Sequence, residues 1–371
     1  MGFMIDDVEV LRPPPSGYVV DFEHPQRQQW LEHYLVFAIG APLAFLFLCQ
    51  RYYTKIYLSK GLQIDDFFMF IGWSLSIVTQ AVLTKSIVDG GLCAHSWEMP
   101  LERFERYSVI TYIAAPVYQL CNGFCKLSLL TIYLQLSPQK WFRVTTWISI
   151  VIVILYTTII TAIMFFHCSP IRKAFDFKLA EGSCMDAGVL YMATAVSNII
   201  TDVILFILPT PMVWRLEMSK AQRIGAIVIF GIGSMTIATS IVRLVYLPAT
   251  LKSTDPSWDA AAADVWTFVE GNLFVICGSM PTIRRFTRHL FPSVFATPAA
   301  SPSTSHKVNT MSDSKRSNRK ERKQYELFTE DNEMDTLRTM EEEHVLQKDG
   351  DCDGYSENTF WDSRKTTPRH D

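Results

Sequence analysis

The stretch from Asn198 to Leu216 reads NIITDVILFILPTPMVWRL and places an amide and a carboxylate, Asn198 and Asp202, inside an apolar run. Residues four apart share one face of a helix. The run ends at Pro209 and Pro211, and basic residues follow. An aspartate inside a membrane-length helix costs free energy unless it faces a partner or a hydrated cavity. The stretch therefore predicts a spanning helix, its inner end, and a buried polar site within a bundle.

Long apolar blocks fill the chain between Tyr34 and Phe286. Of the 371 residues, 49% are hydrophobic, and almost every charge lies outside these blocks. A run of about 18 or more apolar residues with few charges is typical of a transmembrane helix. We therefore predict an all-α bundle of seven transmembrane helices. Their ranges are 33–53, 64–84, 107–134, 144–166, 187–208, 224–247 and 263–285.

The basic residues predict the orientation of this bundle. Groups of Lys and Arg follow the first, third, fifth and seventh predicted helices, which end on one side if the helices alternate. Cytosolic loops are the ones enriched in Lys and Arg. We therefore expect the N-terminus outside and the C-terminus in the cytosol, although the opposite side also carries six basic residues. The inner groups are Arg51, Lys55, Lys60; Lys140, Arg143; Arg215, Lys220, Arg223; and Arg284, Arg285, Arg288.

Three parts follow from these predictions: an extracellular tail (1–32), a transmembrane domain (33–290) and a cytoplasmic tail (291–371). The first thirty residues are acidic and do not resemble a targeting peptide, so we expect the first helix to direct a multi-pass protein to the plasma membrane. The last part is Ser/Thr-rich and then charged, which predicts disorder. Its basic block at 315–323 is either an ordinary solvated segment or a site for anionic lipids or a cytosolic partner.

Three cysteines fall in loops predicted to lie outside, where disulfides persist. Cys168 and Cys184 bracket the loop HCSPIRKAFDFKLAEGSC, and we predict that they pair. The alternatives are two unrelated thiols, or Cys93 in place of either partner. No Cys/His spacing resembles a metal site.

Four ionisable residues lie well inside the predicted helices. Lys126 lies about eight residues from its inner helix end and Asp202 about six from its own, so at ~1.5 Å per residue their levels differ by only ~3 Å. Arg243 and Glu270 share the outer half. Because a lone charge near the bilayer centre costs at least about 2.5–3.5 kcal/mol, we predict two pairs, Lys126 with Asp202 and Arg243 with Glu270. The alternative for the two cations is to snorkel to the nearer interface.

Polar residues at helical spacing flank these charges on three helices, which predicts that polar stripes converge inside the bundle. They are either a ligand pocket or ion path, or interhelical hydrogen bonds that hold the bundle together. The three sets are Gln119, Asn122 and Lys126; Asn198 and Asp202; and Thr236, Thr239 and Arg243.

Several function classes are disfavoured. No lysine occurs between Lys252 and Lys307, so the last helix has no residue for a retinal Schiff base, and we expect no cofactor. No nucleophile with a base, metal spacing or phosphate-binding glycine loop is present, so we expect no enzyme. His33, His95 and His167 fit ordinary interfacial residues.

Five segments of the chain closely resemble the fungal rhodopsin-domain family of seven-span membrane proteins, over about residues 33–290. The resemblance implies that Lys126, Asn198, Asp202, Arg243 and Glu270 belong to the family's recurring pattern. It also implies a kinship with proteins of satratoxin-type metabolite clusters and with receptor-like surface sensors. The segments are KLSLLTIYLQL (126–136), HCSP with a later GSC (167–184), NIITDVILFILPTPMVWRLEMSKAQRIG (198–225), GSMTIATSIVRL (233–244) and WTFVEGNLFVICGSMP (266–281).

Some receptors of this family carry an extra cysteine-rich extracellular domain, which we do not expect here because the predicted N-terminal tail has no cysteine. Two hypotheses for function follow. The first is a receptor-like protein of the bilayer that senses a small extracellular molecule or surface cue and signals to a cytosolic protein. The second is a small-metabolite transporter, or an accessory membrane protein of a secondary-metabolite cluster. We expect no nucleic-acid partner.

Overall fold

The computed structural model describes residues 3–5, 7–59, 61–136, 139–175, 181–211 and 220–290. Seven long helices lie within these residues, one for each predicted span. Six of them extend beyond the predicted range at one or both ends, because backbone hydrogen bonding continues past the apolar core, whereas the fifth ends one residue short of its range. The predicted cytoplasmic tail and the inner loop at 212–219 lie outside the described residues. The helices are α1 Trp30–Leu58, α2 Ile64–Val88, α3 Leu101–Leu136, α4 Lys140–Phe166, α5 Ala187–Ile207, α6 Lys220–Lys252 and α7 Pro256–Leu290.

Six of the seven helices, all except α3, are long and apolar enough to cross a membrane. The exception is 36 residues long and carries several polar side chains, among them Gln119, Asn122 and Lys126. It packs against α2, α4 and α7, so protein rather than lipid covers much of its surface. A helix covered in this way can carry polar groups because other helices satisfy them.

The side chains of α4 show the distribution expected in lipid. Trp147, Ile148 and Leu155 are exposed, whereas Thr146 and Thr157 are buried. Large apolar side chains therefore cover the exposed face of α4, whereas the exposed face of a water-soluble helix is polar, and several hydroxyl groups lie on its buried face. With the apolar lengths of the other helices, this supports an integral multi-pass membrane protein.

The first helix departs from regular geometry where Gly40 and Pro42 predict a kink. A π-helical turn at Val36–Gly40 precedes the proline, and such turns mark irregular points in a helix. At Gly40 the backbone approaches α7 closely, because an added Cβ would lie 2.6 Å from Asn272 Nδ2. The glycine therefore permits the contact between these two helices.

Two short antiparallel strand pairs lie outside the bundle. One is β1 Phe3–Ile5 with β2 Val8–Val10, and the other is β3 Cys168–Ser169 with β4 Ser183–Cys184. Cys168 and Cys184 face each other in this second pair and form a disulfide, so the predicted pairing is confirmed. The alternative with Cys93 is wrong, because its thiol is free and buried.

Candidate functional site

Lys126 lies in the bundle with no exposed surface, and the snorkelling alternative is wrong for it. Its Nζ is 2.9 Å from Asp202 Oδ1 on α5. The same ammonium donates to Asn198 Oδ1 at 2.6 Å and to Thr201 Oγ1 at 2.7 Å. The backbone oxygen of Asn198 is a further acceptor at 3.2 Å, and because a lysine ammonium has only three hydrogens, its donor capacity is fully used.

Arg243 on α6 approaches Glu270 on α7, as the predicted pairing requires, but less closely. Its Nε lies 3.3 Å from Glu270 Oε2, longer than the ~2.7–2.9 Å of a good charge-assisted hydrogen bond. The guanidinium carbon also lies 5.1 Å from the centroid of the Tyr118 ring, within range of a cation–π interaction. The Tyr118 hydroxyl donates to Glu270 Oε2.

The two predicted pairs form one network, because Asn198 and Ser240 join them. Asn198 Nδ2 donates to Glu270 Oε1 at 2.7 Å, while its Oδ1 accepts from Lys126. Ser240 Oγ lies 2.8 Å from Asp202 Oδ2 and 2.9 Å from Glu270 Oε1. The network therefore connects α3, α5, α6 and α7 through buried side chains. We call it the central network: Tyr118, Lys126, Asn198, Thr201, Asp202, Ser240, Arg243 and Glu270.

Sequence reasoning missed Ser240 because serines are common on transmembrane helices, although it lies four residues after Thr236 and three before Arg243 and so shares their face of α6. The two threonines of the predicted stripe do not join the network. Thr236 donates to Gly233 O and Thr239 to Thr236 O, both within the same helix. Spacing alone therefore identified the correct helix but the wrong hydroxyl.

Gln119 and Asn122 are each 1% exposed, but neither hydrogen-bonds to the central network. Among the described residues, Gln119 Nε2, both amide atoms of Asn122 and the hydroxyl of Tyr156 on α4 are buried without a hydrogen-bond partner. Gln119 is 17 residues from the inner end of α3 and Tyr156 is 16 from that of α4, so at ~1.5 Å per residue they lie at nearly the same depth. We call Gln119, Asn122 and Tyr156 the polar trio.

The polar trio lies next to the central network. Lys126 Nζ is 6.0 Å from the centroid of the Tyr156 ring, and Asn122 is one helical turn from Lys126. A buried polar group without a partner costs about 1–3 kcal/mol. The bundle thus holds, beside the central network, several buried polar groups with which a bound molecule could form hydrogen bonds.

A second ionic cluster, which sequence reasoning did not predict, lies at the end of the bundle where α1 ends and α2 begins. Arg51 on α1 is fully buried; it donates to Asp66 Oδ1 at 2.8 Å, and also to Asp65 and to the backbone oxygen of Gly278 on α7. Lys55 Nζ lies 3.2 Å from Asp65 Oδ2. We call Arg51, Lys55, Asp65 and Asp66 the inner cluster.

The sequence at this end explains the inner cluster. Asp65 and Asp66 are in the first turn of α2, where carboxylates interact favourably with the helix dipole. Asp66 also takes part in a capping box with Gln63. The two aspartates are therefore placed by helix initiation, and the cations of α1 reach them. Basic residues that the sequence assigned to a loop are instead largely neutralised within the helix ends.

The opposite end of the bundle is covered by the N-terminal segment and two loops. His95 stacks between Trp97 at 4.5 Å and Trp258 at 3.7 Å between ring centroids. Its Nδ1 contacts Asp255 Oδ2, and Ser96 N donates to Asp255 Oδ1 at 2.9 Å. His95, predicted to be an ordinary interfacial residue, lies at this end of the bundle at the centre of an aromatic and acidic cap, which its isolated position in the sequence did not reveal.

The N-terminal segment is attached to this outer cap. Tyr18 OH donates to Glu98 Oε1 at 2.5 Å and Gln26 N donates to Glu98 Oε2 at 2.8 Å. Burial, followed by the hydrogen bond to Glu98, raises the pKa of Tyr18 to about 12. Burial likewise raises the pKa of the free Cys93 thiol to about 12, so this thiol is unreactive at neutral pH.

Comparison with known proteins identifies the architecture. The sequence profile of the fungal rhodopsin domain matches residues 50–289. The chain is 26% identical over 272 residues to "Fugralins biosynthesis cluster protein 2" of Gibberella zeae, covering 71% of this chain and 67% of that protein. It is 25% identical to "Receptor GIN3" of Arthrobotrys oligospora, covering 71% of this chain and 64% of that protein. It is 26% identical to a "SAT4 family membrane protein" of Emericella nidulans, covering 59% of this chain and 56% of that protein.

The match spans about two thirds or less of the length of these relatives. No solved structure matches the chain. The comparisons therefore establish the family, and the bundle geometry supplies the detail.

Proposed function

Because this chain belongs to the fungal rhodopsin domain family, we propose that it is a receptor-like seven-span protein of the plasma membrane that senses a small extracellular molecule or surface cue. A relative bearing the name of a receptor supports this proposal. In our proposal α3 also spans the membrane and so brings the six apolar spans to seven. It crosses the membrane because its polar residues face other helices.

The observation that carries this proposal is the polar trio beside the central network. Gln119 and Asn122 are almost fully buried, and their amide groups have donors without partners among the described residues. Buried polar groups are normally hydrogen-bonded. Convergent polar groups in an apolar setting are the usual features of a small-molecule site.

The proposed orientation places the outer cap and the disulfide outside the cell. The Cys168–Cys184 disulfide lies between α4 and α5, and disulfides persist in an oxidising compartment. The helix connections alternate between the two ends, so the inner cluster then lies on the cytosolic side. That cluster includes two of the basic residues used to predict orientation, and two buried aspartates offset their charge.

In the proposed mechanism the ligand biases the bundle between two packings. A ligand that hydrogen-bonds to the polar trio changes the contacts of α3 with α4, next to the Lys126–Asp202 pair. The central network joins four helices, so a changed contact at one helix shifts the preferred positions of the others. The ligand acts only through its different affinity for the two packings. A cytosolic partner then recognises the altered inner face.

In the test, a fluorescent reporter is inserted into the turn between α1 and α2, and the protein is expressed in fungal cells. The cells are then exposed to fractions of culture medium and to surface extracts. A receptor gives a fraction-dependent signal that Gln119→Leu abolishes. Ser74→Ala on α2, an exposed hydroxyl bonded to its own backbone, retains the signal as the matched control. Responses that are equal in Gln119→Leu and the unaltered protein would refute the proposed site.

A small-metabolite transporter is the second candidate, because polar groups on α3 continue toward the inner end. Ser128 Oγ donates to Asp65 O at 2.7 Å and Gln135 Nε2 donates to Asp65 Oδ1 at 3.1 Å. The same helix thus carries the central network and reaches the inner cluster. The test is uptake of small metabolites from fractions of the culture medium into proteoliposomes that contain the protein. Uptake that the Asp202→Asn variant abolishes would favour transport. Absence of flux together with a reporter signal would favour the receptor.

A further inference from the structure

The two buried cations of the central network differ in how fully they are neutralised. Lys126 contacts Asp202 at 2.9 Å and has two shorter hydrogen bonds besides. Arg243 forms one ion pair, with Glu270 at 3.3 Å, and Asp202 and Asp264 interact with it only over longer distances. Among the described residues its Nε and Nη2 atoms are buried without a hydrogen-bond partner. Arg243 is therefore the cation with capacity left for another anion.

The carboxylate that faces Arg243 is shared with other donors. Glu270 Oε1 accepts from Asn198 at 2.7 Å and lies 2.9 Å from Ser240 Oγ. Its Oε2 accepts from Tyr118. These bonds occupy acceptor positions on both oxygens of Glu270, so fewer remain for the guanidinium. A guanidinium in a low-dielectric site is strongly attracted to a further negative charge.

The unpartnered buried atoms near Arg243 are mostly donors. They include Gln119 Nε2, Asn122 Nδ2 and the hydroxyl hydrogen of Tyr156, with Asn122 Oδ1 as the acceptor among them. Tyr118, over whose ring the Arg243 guanidinium lies, is one helical turn from Asn122 and shares its face of α3, and Tyr156 is close enough to Arg243 to interact with it electrostatically. A ligand with several acceptor oxygens fits this set better than one with several donors.

We infer that the site takes a small organic anion whose carboxylate binds Arg243, with the polar trio contacting its remaining oxygens. This rests on the proposed function and specifies the ligand's chemical class. Arginine suits the task because its planar donor fork matches a carboxylate, which a lysine ammonium does not. An organic cation is disfavoured because Arg243 would repel it, and a fully apolar ligand would leave the polar trio without partners.

The experiment measures the thermal midpoint of the full chain, purified into nanodiscs, against increasing concentrations of defined probes at constant ionic strength. The carboxylates are sodium acetate, benzoate and succinate. Acetamide and benzamide are their uncharged counterparts, tetramethylammonium chloride is the cation, and sodium chloride sets the ionic strength. A ligand that binds the folded form raises the midpoint in a saturable way.

The variants distinguish the effect of the guanidinium geometry from the effect of a positive charge alone. Arg243→Gln removes the cation and Arg243→Lys keeps the charge without the fork. Arg106→Gln on α3 removes an exposed arginine paired with Glu102 at 2.5 Å, and it is the matched control for loss of one positive charge. Gln119→Leu provides a second route to the site if Arg243→Gln does not fold.

We expect at least one carboxylate to raise the midpoint saturably in the unaltered protein and in Arg106→Gln. In Arg243→Gln the carboxylate concentration that gives half of the maximal shift should rise roughly 10- to 100-fold, which corresponds to the free energy of a charge-assisted hydrogen bond. In Arg243→Lys the rise should be smaller. Equal responses to benzoate and benzamide, with no effect of Arg243→Gln, would overturn the anion class but leave the polar trio as a site for a neutral ligand. The absence of any saturable carboxylate response would also overturn the inference.

Discussion

Replacing Lys126 by methionine tests the central network most directly. Methionine fills a similar volume but removes the ammonium, so three acceptors lose their donor: Asp202 Oδ1 at 2.9 Å, Asn198 Oδ1 at 2.6 Å and Thr201 Oγ1 at 2.7 Å. The aspartate is then left buried, 3% exposed, without its cation.

The magnitude follows from the loss of one partner of a buried ion pair. Such a change costs about 3–5 kcal/mol, most of which is the penalty of the charge left behind. An interhelical hydrogen bond in a membrane protein averages only about 0.6 kcal/mol, so the two explanations differ severalfold. At about 2–4 °C per kcal/mol for a domain of this size, Lys126→Met should lower the thermal midpoint by roughly 6–20 °C.

The assay is unfolding of the purified protein in nanodiscs, with a double-mutant cycle. Asp202→Asn keeps an acceptor for Ser240 but removes the charge. The double variant should therefore be more stable than the sum of the single losses predicts, by about 2–3 kcal/mol. Lys140→Met, at an exposed lysine of α4, is the control and should shift stability by less than about 0.5 kcal/mol. A Lys126→Met loss below about 1 kcal/mol, or additive effects in the cycle, would refute a charge-based network.

The other predictions concern the two ends of the bundle. Asp65→Asn should lower the unfolding free energy by about 3 kcal/mol, because a fully buried arginine loses one of its two carboxylates, and an unchanged denaturation midpoint would contradict this. Cys184→Ser opens a disulfide whose cysteines are 16 residues apart and should lower the free energy of unfolding by about 3 kcal/mol. If the unaltered protein is equally stable with and without reductant, this prediction is wrong. The pKa of Tyr18 is raised to about 12, so its hydrogen bond to Glu98 contributes stability below pH ~10 that is lost as the pH rises to ~12. Ultraviolet absorbance of tyrosinate and limited proteolysis of the N-terminal segment should report this loss. The Tyr18→Phe variant should lack the tyrosinate signal assigned to this position.

The charge pairs were predictable because lipid restricts where a charge can go. Depth along each helix follows from the rise per residue, and depth alone was enough to match Lys126 with Asp202 and Arg243 with Glu270. Rotation of each helix about its axis does not follow from one sequence in the same way. That is why the bridge through Ser240 and the separation of Gln119 from the network were not predicted.

The inner cluster was missed for a different reason. The positive-inside rule treats Arg51 and Lys55 as loop charges that set orientation. The structure continues α1 through both positions, to Leu58, and α2 begins with two aspartates that face them. The predicted ranges 33–53 and 64–84 contain Arg51, Asp65 and Asp66, but they do not show which way each helix end faces, so the pairing of these charges across the junction was not predicted.

One helix connects these features, and this explains why α3, unlike the other six described helices, lacks an apolar stretch typical of a membrane span. Gln119 of the polar trio and Gln135, which donates to Asp65, are 16 residues apart on α3, or about 24 Å along the axis. Lys126 lies between them with the full set of acceptors around its ammonium. A helix that had only to cross the membrane would gain stability from apolar residues at all three positions. In the proposed mechanism, polar groups at these three depths make α3 the element that transmits a change near Gln119 to Asp65 at the other end of the bundle.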